Sequence, residues 1–344
     1  MSVVSTVGLI GAGAIGRAHL NGAAQAAGIK IVGIADPNPA AAQLANEFGL
    51  PHFTDHRTLR DTLQPDGAII ATPNALHVPM ALEWLAEGRP VLVEKPVAGT
   101  VEEGRQLAHA ADAAKVPVLV GHHRRHNPIL RKARELVREG ALGRLVSASV
   151  LATFLKPDAY FEQAWRRSNG GGPVLINLIH EIDLVRFVCG EIRSLQALTS
   201  NAIREFEVED SAAALLRLDN NALVTITLSD TAASPWSWDL ASGENPAFSR
   251  SQAESHFLCG TNASLALPTL RTWRYPGERG WFQPLEPGSI AFQPADPYIE
   301  QMRHFGAVIR REEAPLTDAL DATRTLEVTL AVRQAAQSGT MVYF

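Results

Sequence analysis

Three groups of residues have types and spacings that could do chemistry. The first is Gly11-Ala12-Gly13-Ala14-Ile15-Gly16, directly after an apolar run ending at Ile10. Gly11 allows a tight turn off a strand, and Gly13 lets backbone approach a pyrophosphate. Gly16 lets a helix pack close to the strand, with its N-terminus turned to the anion. Alone the pattern is weak; between an apolar run and an Ala-rich stretch it signals dinucleotide binding. Asp36 closes the next apolar run, where a carboxylate accepts the ribose 2′-hydroxyl of NAD. It would repel a 2′-phosphate, and no basic residue follows in Pro37-Asn38-Pro39, so NAD is expected over NADP. The bland alternative is a packing turn followed by a turn-forming Asp-Pro.

The second group is Glu94-Lys95-Pro96, at the end of another apolar run. A lysine at the C-terminal end of a parallel strand can hydrogen-bond a substrate oxygen, and a positive nicotinamide nearby would lower its pKa. The third group runs from Trp165-Arg166-Arg167 through Gly170-Gly171-Gly172-Pro173 to Asn177, His180 and Asp183. The last three step by three, so neighbours in the series are adjacent on a helix surface. An imidazole titrates near neutrality, as a base that oxidises an alcohol should. A solvated Glu-Lys turn and a core histidine are the competing readings.

These residues need elements to hold them. Apolar runs at 5–10, 29–35, 67–71, 90–93 and 117–121 alternate with helical stretches at 17–27, 40–47, 78–87 and 100–114. That rhythm predicts an α/β domain with a parallel sheet covered on both faces. Past Gly121 the pattern changes. A helix at 127–139 and a strand at 144–154 precede a helix at 173–188, then three strand-like runs to 228 and shorter strands to about 292. Residues 233–255 read as a long loop, and helices at 297–311 and 317–337 end the chain. Consecutive strands flanked by helices describe an α+β domain. The expected domains are 1–122, dinucleotide-binding, and 123–344, for substrate binding and oligomerisation.

Composition narrows the function. Lys plus Arg number 31 against 36 Asp plus Glu, a net charge of −5, so no nucleic-acid partner is expected. Two cysteines, Cys189 and Cys259, cannot build a disulfide scaffold or a multi-cysteine zinc site, and no metal is expected. No apolar run approaches the roughly 20 residues of a membrane span. The first ten residues carry no Lys or Arg and run into a glycine turn, so they read as a strand and not a signal peptide. The expected setting is cytoplasmic.

Together these motifs resemble the Gfo/Idh/MocA family of nicotinamide-dependent oxidoreductases, over nearly the whole chain. The glycine loop, Ala71-Thr72-Pro73-Asn74 with His77, and Glu94-Lys95-Pro96 match in order and spacing. So do Arg124-Arg125 with Asn127-Pro128, the glycine run ahead of His180, and the closing helix from Gln301 to Ile309. The resemblance implies a Rossmann domain followed by a domain with a large, mostly antiparallel open sheet. It implies sugars, cyclic polyols or related hydroxy compounds as substrates, with Lys95 and His180 in catalysis; Asp183, one helical turn past the histidine, is read from its spacing as the residue that orients His180. The glycine loop, Asp36, Thr72, Pro73, Asn74, His77, Glu94 and Lys95 would hold the cofactor. Lys95, His123, Tyr160, Trp165, Arg166, Asn177 and His180 would meet the substrate. One departure stands out: many family members place an Asp four residues before the histidine, where this chain has Ile176 with Asn177 beside it. Lys156, Arg166 and Arg167 make a carboxylated ring cis-dihydrodiol an alternative substrate, and a non-catalytic NAD-binding regulatory subunit is the competing class. A homodimer or homotetramer through the C-terminal sheet is expected, with Leu215, Leu223 and Ile226 on one face or the other.

Overall fold

The computed structural model describes residues 3–344. The chain forms two compact units. The first runs up to Asn127 and includes Ala295–Leu326; the second comprises Pro128–Pro294 and Glu327–Phe344.

The first unit holds a six-stranded parallel sheet. Its strands are β1 (Ser5–Ile10), β2 (Ile29–Ala35), β3 (His52–Phe53), β4 (Gly67–Ile70), β5 (Val91–Val93) and β6 (Val118–Val120). They are ordered β3-β2-β1-β4-β5-β6. The connections are helical: α1 (Ala14–Gln25), α2 (Ala41–Glu47), α3 (His56–Leu63), α4 (His77–Ala86) and α5 (Val101–Ala114). With both faces covered, strand residues such as Val7, Leu9, Ile69, Leu92 and Leu119 are fully buried. The order reverses between β1 and β4, and a crevice for ligands opens at the carboxyl ends of strands at such a switch point. The short pair β3 and α3 lies in a stretch, 50–66, whose sequence gave no periodic signal. Leu59 of α3 packs over Gly8 and Gly33, where a Cβ would meet it or its neighbour Leu63.

The second unit holds a nine-stranded sheet fed by α6 (Pro128–Arg138), β7 (Leu145–Thr153) and α7 (Ile179–Val188). A five-residue π-helical segment, Val174–Leu178, runs into α7. Three long strands follow: β8 (Ile192–Ser200), β9 (Ser211–Leu218) and β10 (Leu223–Ser229). Then come α8 (Trp238–Ala241), β11 (His256–Gly260), β12 (Ala263–Leu267), β13 (Arg271–Arg274) and β14 (Glu286–Ser289). The pairing is antiparallel except between β7 and β10. The hairpin at Asn221, whose φ is +66°, joins β9 to β10. Alternation along β9 and β10 puts Ile226 inside and leaves Leu215 and Leu223 nearly half exposed, alongside Val146 and Leu198. The stretch read as a plain loop, 233–255, contains α8, and Trp238 there is completely buried.

The chain closes with α9 (Pro297–Ile309), α10 (Ala319–Ser338) and the short β15 (Val342–Tyr343), which pairs with β8. The units differ from the expected domains at 1–122 and 123–344 in two places. The break after β6 falls at Asn127, and 295–326 returns to the first unit. The return has a packing cause. Met302, Phe305 and Val308 of α9 are fully buried in the cluster that holds Leu9, Leu20 and Ile31. Gly22 of α1 faces the Tyr298 backbone, 3.1 Å from where a Cβ would stand. Sequence order alone gave no sign that this helix packs against the first one.

Candidate active site

The glycine loop follows β1 and opens α1. Gly11 has φ +98°, and a side chain there would collide with Ala71 at the end of β4. A Cβ on Gly16 would strike the Gly11 carbonyl, so the helix can lie this close only with glycine. At Gly13, by contrast, a Cβ would meet nothing within 4 Å, and Gly13, Ala14 and Ile15 are exposed. Three residues are thus free to face a ligand on a frame fixed by the other two glycines. Asp36 stands at the end of β2. Its Oδ2 accepts from the Ala12 N–H and its Oδ1 from the Asn38 N–H, both at 2.8 Å. Two backbone donors therefore aim the carboxylate beside the loop. A cavity of about 320 Å³ opens here, lined by Ala12, Gly13, Asp36 and Asn38, and also by Arg17 and Glu47. The donor set fits a dinucleotide: a close backbone approach at Gly13, a helix N-terminus, and a carboxylate for a ribose.

At the ends of β4 and β5 two turns are tied together. Pro73 and Asn74 are exposed and Thr72 is half-buried. His77, expected among the cofactor contacts, is buried instead. Its Nδ1 faces the Pro96 carbonyl and its Nε2 the Thr72 carbonyl, each at 2.9 Å. Burial pushes its pKa down, and the two carbonyls oppose that shift. His77 thus staples the Thr72–Asn74 turn to the Glu94–Pro96 turn. Glu94 is buried as well: Oε1 meets His19 Nε2 at 2.9 Å, and Oε2 accepts from the Lys95 N–H at 3.1 Å. Burial alone would push the Glu94 carboxyl up. The His19 hydrogen bond and the charges of His19, His123 and Lys95 hold it below the usual range. Gly121 at the end of β6 leaves room for this carboxylate; a Cβ there would overlap it. Lys95 is half-buried. His123 stacks on Tyr298, with ring centroids 4.6 Å apart, and His19 meets the same ring edge-on.

The second unit gathers a different set. Glu209 accepts from the Val174 N–H at 3.0 Å, placing a negative charge at the start of the helical segment that carries Asn177 and His180. Arg333 holds Glu209 in turn and also binds Asn169. Gly172 allows this close fit, since a Cβ would meet the Glu209 carboxylate. Asn177 and His180 are half-buried, whereas Asp183 is 1% exposed. Asp183 can therefore act on chemistry only through another residue. The Asn177 Oδ1 accepts from Lys156 Nζ at 2.7 Å. Lysine only donates, so the amide oxygen must face it and the Nδ2 donor must face away. Lys156 is itself buried, 3.2 Å from Asp230, whose other oxygen is 3.3 Å from Arg204 Nε. Burial pulls the Lys156 ammonium below the ordinary lysine range, with Asp230 opposing. Its Nζ lies 4.8 Å from the Tyr160 ring centre, and the Arg166 guanidinium covers the same ring at 3.9 Å. Arg166 also donates to the Tyr160 carbonyl at 2.7 Å. Trp165 is half exposed beside it.

Of the expected site residues, the first unit brings together the glycine loop with Asp36, and Glu94 with Lys95 and His77. The second joins Tyr160, Trp165 and Arg166. Sequence reasoning missed His19, Asp230 and Arg204, and it missed Arg17 and Glu47. The partners of His19, Asp230 and Glu47 lie far away in the chain, so no local spacing marks them.

A Rossmann-type sheet with a dinucleotide loop, joined to a large open sheet, defines a two-domain nicotinamide oxidoreductase. Comparison with known proteins agrees. The oxidoreductase family with an NAD-binding Rossmann fold matches residues 5–122, and the GFO/IDH/MocA C-terminal domain matches residues 130–262. The chain belongs to the GFO/IDH/MocA family, and its first unit is an NAD-binding domain. It is 33% identical over 185 residues to the rhizopine catabolism protein MocA of Rhizobium meliloti, a match covering 54% of this chain and 57% of that one. It is 28% identical over 341 residues to the 1,5-anhydro-D-fructose reductase of Ensifer adhaerens, covering 96% of each. The fold matches the WlbA dehydrogenase of Bordetella pertussis, solved with NADH and UDP-GlcNAcA, with a TM-score of 0.79, 23% identity and 99% of each chain covered. No helix among the described residues is long and apolar enough to cross a membrane.

Proposed function

We propose that this oxidoreductase is an NAD-dependent dehydrogenase of a sugar, cyclic polyol or related ring hydroxy compound. The observation that carries this reading is the Glu94-Lys95 turn at the end of β5, braced by His19 and His77 beside the glycine loop. Nicotinamide supplies the hydride acceptor when bound. The exposed loop residues Gly13, Ala14 and Ile15 lie along the pyrophosphate, Asp36 takes the ribose hydroxyl, and Thr72, Pro73, Asn74 and Glu94 border the rest. Lys95 donates to the reacting oxygen and stabilises its developing negative charge. His180 accepts the hydroxyl proton, and Asp183 holds the imidazole. The sugar and anhydro-sugar names of the relatives support the substrate class.

Asn177 refines it. With its Oδ1 taken by Lys156, its Nδ2 is left to donate to an acceptor oxygen, which a ring hydroxyl, carbonyl, ring ether or carboxylate can each supply. Tyr160, Trp165 and Arg166 supply an apolar face and a cation beside it, which keeps the carboxylated ring cis-dihydrodiol as the second reading. The test is NADH formation followed by absorbance with sugars, inositols, uronates and cyclic dihydrodiols. Turnover of one of these ring compounds is the expected result. Tight NAD binding without turnover of any would favour the regulatory-subunit class.

The second domain also carries an oligomer interface in this reading, a homodimer or homotetramer through the outer sheet face with Leu215 and Leu223. A mass of 37.1 kDa by light scattering at micromolar concentration would reject it.

A further inference from the structure

The cavity at the end of β2 holds three charged side chains, Asp36, Arg17 and Glu47. Asp36 is held by two backbone N–H groups and has no freedom to turn away. Arg17, one turn into α1, reaches Glu47 on α2, with Nη1 to Oε2 at 2.7 Å. Their side chains are 49% and 41% exposed, so solvent screens the pair and its effect on folding is small. Its position matters more than its strength. Arg17 is the one basic side chain lining this cavity among the described residues. A guanidinium here could fork onto a phosphate, but it already faces a carboxylate.

We infer that Glu47 is a second determinant of the choice between NAD and NADP, acting by occupying Arg17. The inference rests on the reading that Asp36 meets the adenosine ribose. A 2′-phosphate arriving at that end faces two carboxylates and one guanidinium committed to one of them. Without the Glu47 charge, it faces one carboxylate and a free guanidinium. The sequence shows no basic residue just after Asp36; the fold brings one in from α1.

The test is titration of NADH and NADPH by fluorescence against wild type, Glu47→Gln, and the double variant Arg17→Ala/Glu47→Gln. Both side chains are on the surface, so folding is not at stake. In Glu47→Gln the ratio of the NADPH to the NADH Kd should fall about three- to tenfold, the scale of one partly exposed charge contact. The shift should shrink at high salt. In the double variant the ratio should return to the wild-type value or above it. A ratio within twofold of wild type in Glu47→Gln overturns the inference, as does an equal fall in the double variant. If wild type binds neither dinucleotide, the cofactor reading itself fails; if NADH binds and only the ratio refuses to move, Glu47 alone is wrong.

Discussion

The cofactor end and the Lys156 cluster are held in opposite ways. Backbone does most of the work around Asp36: Ala12 N–H and Asn38 N–H hold the carboxylate, and glycines set the spacing. Around Lys156 the ties that hold Asn177 are side chain to side chain, from Asn177 to Lys156 to Asp230 to Arg204. A backbone-built site tolerates change in the side chains around it, because peptide groups are always present. A side-chain network changes with any one of its members. The first arrangement suits a cofactor shared by a whole family, and the second suits a substrate that differs from one member to the next.

The largest expected effects are on the proposed chemistry. His180→Ala should lower kcat by roughly 10²–10⁴-fold, the range for removing a positioned acid–base group, and Lys95→Ala by roughly 10²–10³-fold, the range for removing one donor to a developing oxyanion. The NADH Kd of His180→Ala should stay close to wild type, since the pyrophosphate and ribose contacts belong to the backbone-built end. The pH profile of kcat/KM should lose one limb when His180 is replaced, as it does when the general base is removed. Near-normal turnover in both variants, with NADH binding intact, would place the chemistry elsewhere.

A smaller effect tests the network. Lys156→Met removes the cation between Asn177 and Asp230 and leaves Asp230 to Arg204 alone. Because Arg204 still neutralises Asp230, the loss in urea unfolding should stay below the roughly 3 kcal/mol of a fully unpaired buried charge, with part of it recovered in Lys156→Met/Asp230→Asn. The kinetic signature should be a KM raised about tenfold with a lesser fall in kcat, because the Asn177 amide loses its fixed orientation rather than its chemistry. A kcat loss as deep as that of His180→Ala, with KM unchanged, would mean that Lys156 acts on the reacting atoms. Asn177→Asp exchanges a donor for a charged acceptor, and should turn preference away from carboxylated ring compounds and toward uncharged ones by about tenfold in kcat/KM.

The same contrast explains what could be read from the sequence. The glycine loop, Asp36 and Glu94-Lys95 are contiguous or evenly spaced, and each carries a physical reason for its residue types. Five strands of the six-stranded sheet were legible because strands buried on both faces read as apolar runs. The Lys156–Asp230 pair was not, because β7 and β10 lie beside each other only in the folded sheet, and a buried lysine looks like any surface lysine in the chain. His77 was legible as a marked residue but not in its role: only the fold shows both ring nitrogens facing carbonyls. The return of α9 to α1 was hidden for the same reason. Its apolar face is plain in the sequence, but not the surface it covers. The stretch 50–66 was not legible for a local reason: β3 has two residues, and α3 buries only His56 and Leu59 in a largely polar run.

The smallest effect lies in that stretch, and it tests whether the backbone-built unit can lose a local anchor without harm to the site. Asp55 caps α3. Its Oδ1 accepts from the Arg57 N–H at 3.1 Å, and its Oδ2 from the Thr58 N–H at 2.8 Å and the Thr58 hydroxyl at 2.6 Å. The Thr58 hydroxyl, then the Thr58 N–H, bring its carboxyl down to about 2. Asp55→Ala should cost about 1 kcal/mol of stability at neutral pH, as lost N-caps do, with kcat unchanged because no group of the proposed site touches it. The sign of the pH dependence follows from the depressed value. The folded protein holds the Asp55 proton more weakly than the unfolded chain does, so the carboxylate stabilises the fold fully above the ordinary aspartate range. That contribution drains away as pH falls from this range through about 2. Urea midpoints of wild type and Asp55→Ala, compared from neutral pH into the acid, should therefore converge. A gap that stays constant as the carboxyl protonates would show that the cap acts through packing against α3 and not through its charge.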